Sequence, residues 1–253
     1  MIDLHTHLIP GVDDGSHTIE QSVEVLQHFA AQGVTAVCCT PHLRASAIAS
    51  APCDAMDGLL SDLVDAAPPS PALTRGFEIM LDVRSATFAD RCLCLGGTRY
   101  VLVEFGRLVP ADASVEILGG IVAQGLVPVL AHPERYAVCS PELARRWQQA
   151  GVVLQVDATT LLADSRRAGR ARALLENGCA AIMASDNHGD ARSVAAAVRW
   201  LESHGGGAQA ELLAMDNPRA ILDDLAVRPV PPFRLRRSMY TRFKDFLVGG
   251  GEA

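Results

Sequence analysis

The stretch Gly125-Leu126-Val127-Pro128-Val129-Leu130-Ala131-His132 decides how this sequence is read. Residues 126–131 are apolar throughout instead of at alternate positions, which predicts a strand covered on both faces. Gly125 ends a helix read over residues 113–124, and the apolar run stops at an imidazole. The pattern recurs outward in both directions. Strands are predicted over 2–5, 34–40, 73–81, 100–105, 126–131, 152–157 and 180–185. Helices are predicted over 18–32, 55–66, 113–124, 140–150, 164–177, 191–204 and 218–225, with Gly33, Gly151 and Gly178 as stops. Alternation of about seven buried strands with helices predicts an α/β class, either a barrel or a doubly wound parallel sheet. The Ala/Ser-rich stretch 45–51 reads as a mobile loop.

The chain has 253 residues and a formal charge of −7, enough length for one large core. Residues 227–253 form a basic, aromatic tail after a proline-rich connector, with six basic residues against two acidic, so the body at 1–226 carries −11. An acidic body argues against nucleic-acid binding, which needs a basic face for phosphates. The tail, with Arg234, Arg236, Arg237, Arg242 and Lys244 among Phe233, Tyr240, Phe243 and Phe246, suits either peripheral contact with an anionic membrane or an acidic partner, or packing on the body. No apolar stretch is long enough to span a bilayer, and the first residues do not read as a secretory signal. The seven cysteines (Cys38, Cys39, Cys53, Cys92, Cys94, Cys139, Cys179) are odd in number and lie mostly in apolar runs. No disulfide framework is expected, and a cytoplasmic location fits.

The polar residues carry the functional signal. The strands run into His5 and His7, His42, Glu104, His132, and Asp186 with His188; the third predicted strand carries Glu78, and Asp14 follows the first. In a parallel barrel the C-terminal strand ends converge on one mouth, so these nine side chains are expected to meet. One histidine at a strand end is ordinarily a structural hydrogen-bonder. So many imidazoles and carboxylates at one mouth, without a cation, would cost several kcal/mol per charge. A nitrogen–oxygen donor set lacking sulfur suits Mn²⁺, Fe or Zn²⁺.

Asp3-Leu4-His5-Thr6-His7, Val12-Asp13-Asp14-Gly15, Thr40-Pro41-His42, Gly76-Phe77-Glu78, Val103-Glu104-Phe105, Ala131-His132-Pro133-Glu134-Arg135-Tyr136, Ala184-Ser185-Asp186-Asn187-His188 and Asp216-Asn217-Pro218-Arg219 occur in that order. Over residues 1–226 the chain resembles the polymerase-and-histidinol-phosphatase (PHP) superfamily, and within it the bacterial manganese-dependent protein tyrosine phosphatases of capsule and exopolysaccharide operons. The resemblance implies a distorted barrel of seven β/α units, with its active site at the C-terminal strand ends and up to three ions. Mn²⁺ is implied first, with Fe, Zn²⁺ or Mg²⁺ as substitutes. By position, His5, His7, Glu78 and Asp186 would hold one ion. Glu78, Glu104 and His132 would hold a second, and Asp14, His42 and His188 a third. Arg135 and Arg192 match the phosphate-binding arginines, although His188 to Arg192 spans one residue fewer than in relatives. The loop 43–53 lacks the family's basic, aromatic pattern. The implied partner is a phosphotyrosine protein, such as a membrane-associated bacterial tyrosine kinase.

Two rival readings share these residues: a phosphatase of small phosphomonoesters resembling histidinol phosphatase, and a non-catalytic, metal-stabilised module. A third signal is a decoy. Cys139 and Arg145 have the C-x₅-R spacing of cysteine-dependent phosphatases, but Ser140-Pro141-Glu142 reads as a helix start, and Glu142 would repel phosphate.

Overall fold

The computed structural model describes residues 1–235; the tail residues from Arg236 onward, including Tyr240, Arg242, Phe243, Lys244 and Phe246, lie outside the described residues. Among the described residues there are nine strands: β1 (Ile2–Thr6), β2 (Ala36–Cys39), β3 (His42–Arg44), β4 (Ala72–Arg75), β5 (Glu78–Met80), β6 (Tyr100–Glu104), β7 (Val127–Ala131), β8 (Val153–Asp157) and β9 (Ile182–Ala184). All pairings are parallel, in two sheets ordered β1-β2-β4 and β3-β5-β6-β7-β8-β9.

The nine strands occupy seven positions. The single strands expected over 34–40 and 73–81 are each broken, so β2 passes into β3 and β4 into β5, with each break moving the chain from the small sheet to the large one. Pro41 interrupts the first because it offers no N–H to a ladder, while its carbonyl accepts from Glu78 N. Gly76 interrupts the second, where a Cβ would lie 3.1 Å from the Cys94 carbonyl oxygen. At the far side, Asp186 N donates to His5 O, His7 N donates to Asn187 O, and Thr6 bridges Asn187. The exit of β9 is thereby joined to the exit of β1, giving a distorted α/β barrel.

The helices are α1 (Ile19–Ala31), α2 (Cys53–Ala66), α3 (Ala111–Val122), α4 (Pro141–Gln149), α5 (Ala158–Leu162), α6 (Arg166–Glu176), α7 (Val194–Ser203), α8 (Gly207–Glu211) and α9 (Asn217–Leu222). They cover the outside of the strands, burying Leu26, Phe29, Leu118, Trp147, Leu174 and Leu201. The short α5 and α8 carry too few residues to show a helical period and were not expected.

Two further expectations change, and of the two readings of the tail its described part takes the packed one. Residues 45–51 are not a free loop: Ala45–Ser50 forms a 3₁₀ helix, tied down by Ser46, whose N–H and hydroxyl both donate to Asp82. One disulfide exists, between Cys53 and Cys92, with Cα atoms 6.0 Å apart; only tertiary folding brings the start of α2 to the segment after β5. The remaining cysteines are free and buried. The described part of the tail packs on the body. Val230 is buried, Arg228 N donates to Asn217 Oδ1, and Leu235 N donates to Glu176.

Candidate metal centre

β1 delivers His5 and His7 to the mouth, both fully buried. Alternate strand residues share a face, so the two imidazoles point the same way and their Nε2 atoms lie 3.3 Å apart. Around them, Glu78 Oε2 is 3.2 Å from His5 Nε2 and 3.4 Å from His7 Nε2. Asp186 Oδ1 is 3.2 Å and 3.3 Å from the same two atoms. His132 Nε2 sits 2.8 Å from Glu78 Oε1 and 3.9 Å from Glu104 Oε2. His42 Nδ1 is 3.1 Å from Glu78 Oε2, and its Nε2 is 3.3 Å from Asp14 Oδ1. His188 Nε2 is 3.5 Å from Asp14 Oδ1. All nine predicted side chains are therefore brought together, with Glu78 at the centre and Asp14 at the exposed rim.

The backbone is shaped to achieve this. His132 and Asp186 have φ of 33° and 50°, a left-handed conformation that costs free energy for such residues and concentrates at functional sites. Gly15 packs so closely on His7 that a Cβ would lie 2.1 Å from the His7 carbonyl oxygen. This explains the glycine in Val-Asp-Asp-Gly.

The donor set fits cations. Two imidazole Nε2 atoms facing each other and two carboxylates at contact distance balance only if positive charge lies among them. Without an ion, protons on the imidazoles supply it. Burial alone would lower the His5 imidazole, but Glu78 and Asp186 push it up to about 9. Burial opposes ionisation of Glu78 and Asp186, but the histidines, and for Asp186 also Arg135, hold both well below the usual carboxylate range. Glu104 goes the other way: burial and the neighbouring Glu78 raise it to about 7. Such groups exchange protons for a cation when one binds. Three mouth clusters place one donor atom per residue close enough to share an ion: His5–His7–Glu78–Asp186, His7–Asp14–His42–His188 and His42–Glu78–Glu104.

The arginines converge on the other oxygen of Asp186. Arg135 Nη2 donates to Asp186 Oδ2 and, at 2.8 Å, to Asp157 Oδ2. Arg192 Nη1 lies 3.9 Å from Asp186 Oδ2, while its Nε is held by Asp190. The short spacing from His188 thus still delivers Arg192 to the mouth.

Several residues at the site were missed in the sequence. Asp13, not only Asp14, belongs here: its Oδ2 is 2.7 Å from His7 Nδ1 and accepts from His42 N. Gln155 Oε1 accepts from His5 Nδ1 at 3.0 Å, the outer partner that leaves Nε2 free for a ligand role. Asp157 caps α5 and aims Arg135. Gln155 and Asp157 are the two polar breaks in the apolar run of β8, which was the signal available. The decoy reading is settled by geometry. Ser140 accepts from Leu143 N as the cap of α4. Cys139 is buried, its thiol pushed up to about 12 by desolvation, and Arg145 donates to Asn177 instead of facing it.

Seven parallel strand positions with a histidine–carboxylate cluster at their C-terminal ends define the class: an α/β barrel with a candidate polynuclear metal centre at its mouth. The particular family follows from the sequence. Residues 1–223 match the model of capsular polysaccharide synthesis proteins CpsB/CapC, and the chain belongs to that family. It is 30% identical to the tyrosine-protein phosphatase YwqE of Bacillus subtilis over 169 residues, 64% of this chain and 66% of that protein. It is 27% identical to the tyrosine-protein phosphatase CpsB of Streptococcus pneumoniae, over 88% of this chain and 99% of that protein. Among solved structures, the work on YwqE from Bacillus subtilis and CpsB from Streptococcus pneumoniae, described as metal-dependent tyrosine phosphatases, provides a match at TM-score 0.74. That match has 23% identity and covers 94% of this chain and all of the other.

Proposed function

We infer that this chain is a metal-dependent tyrosine phosphatase of capsular polysaccharide synthesis, a phosphoric monoester hydrolase. The observation that carries the reading is the shared carboxylate of Asp186: one oxygen faces the His5–His7–Glu78 cluster and the other faces Arg135. Cations and a guanidinium set side by side match the charge of a phosphoryl group.

In this reading His5, His7, Glu78 and Asp186 hold one ion, Glu78, Glu104 and His132 a second, and Asp14, His42 and His188 a third. Imidazole mixed with carboxylate suits Mn²⁺, Fe or Zn²⁺, and the resemblance to manganese-dependent phosphatases makes Mn²⁺ the expected metal. When bound, the ions supply positive charge for the phosphoryl oxygens and acidify water. The protein's own groups do the positioning. Arg135 commits Nη2 to Asp157 and Asp186, which leaves Nη1 and Nε for phosphoryl oxygens and offsets the charge that builds on them. Arg192, braced by Asp190, reaches toward the same Asp186 oxygen as Arg135. The leaving phenol has a pKa near 10, so its departure demands less protonation than that of an alkyl alcohol.

The proposed substrate protein is a membrane-associated bacterial tyrosine kinase, with the chain acting in the cytoplasm and the basic residues after position 226 contacting the kinase or the membrane surface. Among the described residues no helix is long and apolar enough to cross a membrane. The test is a Mn²⁺ panel with phosphotyrosine peptides, phosphoserine peptides and histidinol phosphate side by side. Preferential turnover of phosphotyrosine is expected. Preference for histidinol phosphate would instead make the chain a small-molecule phosphomonoesterase.

A further inference from the structure

A cavity of about 560 Å³ opens from the metal-site mouth and is lined by His42, Leu43, Arg44, Met80, Asp82 and Glu104. Its place follows from strand register. His42 pairs with Glu78, and Arg44 pairs with Met80, which pairs in turn with Glu104. Paired residues of parallel neighbours share a face. Met80 therefore lies one layer outward of Glu78, between Arg44 and Glu104. Asp82 holds the wall in place by accepting both the N–H and the hydroxyl of Ser46.

We propose that Met80 and the stem of Arg44 form the aryl subsite that selects phosphotyrosine. The proposal rests on the reading above and adds the residues that recognise the leaving group. A phosphoryl group bound by Arg135 beside the metal ligands His42 and Glu104 would send its ester substituent outward. The cavity that shares His42 and Glu104 with the metal site is the space that receives it. Its volume falls in the range of small-ligand pockets. Its apolar wall is the half-buried Met80, whose thioether packs well against aromatic ring edges. The stem of Arg44 closes one side and can lay its guanidinium over a ring face. The single methylene of a serine ester would reach none of these groups. The occupant is thus a phenyl ring, the one feature that separates phosphotyrosine from an alkyl phosphomonoester at this distance.

Calorimetric binding to the Mn²⁺-loaded chain tests this without relying on turnover. The probes are benzylphosphonate and methylphosphonate, with metal content checked by elemental analysis. The wild type should bind benzylphosphonate at least about tenfold more tightly, the scale a few buried apolar groups provide. Met80→Ala should shrink that preference severalfold, while Met80→Leu keeps it. Equal binding of the two probes by the wild type, or a preference that survives Met80→Ala, would overturn the subsite. A preference lost equally in Met80→Leu and Met80→Ala with methylphosphonate binding also lost would mark Met80 as structural and overturn it too. Failure of the parent reading shows separately, as an absence of phosphotyrosine turnover in a chain that still discriminates the probes.

Discussion

Arg135 shows how a single functional residue is set. Its sequence position, three residues after a left-handed His132, brings it to the mouth, but two carboxylates aim it. Arg135→Ala should cut turnover by roughly one to three orders of magnitude, the scale of losing one charged stabiliser of a developing oxyanion, with metal content retained in elemental analysis. Asp157→Asn should act through Arg135, lowering turnover by about tenfold with a smaller change in KM. Asp157 also carries a pH signature. Burial would raise its carboxyl, but Thr159 and Arg135 depress it below the ordinary 3.8. A depressed folded pKa contributes stability that is fully present above the unfolded value and lost as pH falls through the folded one. The stability advantage of wild type over Asp157→Asn should therefore be constant from pH 7 down to near 4 and shrink below it. Paired thermal melts of the metal-free proteins check this; an advantage independent of pH would remove the ion pair from the account.

Elements make their own contribution, separate from the chemistry they carry. The start of α4 is a capped helix and not a phosphate loop. Cys139→Ser should leave turnover within about twofold, and Ser140→Ala should cost about 1 kcal/mol through the lost cap, read as a lower denaturation midpoint. The chain after α9 belongs to the body up to position 235. Asn217 donates to the Ala181 and Arg228 carbonyls and accepts from Arg228 N, and Val230 and Pro232 crowd Gly178. Truncation after residue 235 should leave aryl phosphate turnover unchanged. Truncation after 226 should lower the melting temperature, because it strips buried apolar contacts and leaves the buried Asn217 Oδ1 without its donor, Arg228 N. Equal melting of the two truncated forms would show that residues 227–235 contribute nothing to the fold.

At the scale of the whole molecule, the barrel concentrates charge that its strands could not carry separately. Nine ionisable side chains from β1, β3, β5, β6 and the segments after β1, β7 and β9 meet at one end. Their burial is tolerated because cations or protons neutralise them. Metal binding should therefore be folding energy as well as catalytic equipment. Ligand at about a hundred times its Kd contributes about 2.7 kcal/mol, so exhaustive chelation should lower the melting temperature by about 5–10 °C and abolish turnover. Mn²⁺ should restore both. Glu78→Gln should reproduce most of the chelated state, since Glu78 touches His5, His7, His42 and His132. Full activity and an unshifted melt in a chain shown by elemental analysis to be metal-free would overturn this view.

The sequence by itself determined the class of fold and the polar residues of the mouth. Continuous apolar runs report burial on both faces, and residues such as His5, His132 and Asp186 stand out because each ends a run where burial should continue. Other features were decided only by tertiary structure. The breaks at Pro41 and Gly76 turn seven expected strands into nine, because a strand's membership of a sheet depends on its neighbours in space. Cys53 and Cys92 meet across 39 positions of sequence. Gln155 and Asp157 become partners of His5 and Arg135 only once β8 is placed beside β7 and β9. Periodicity encodes which face of an element is buried. It does not encode which distant side chain will face it there, and hydrogen bonds, ion pairs and a shared cation are properties of that pairing.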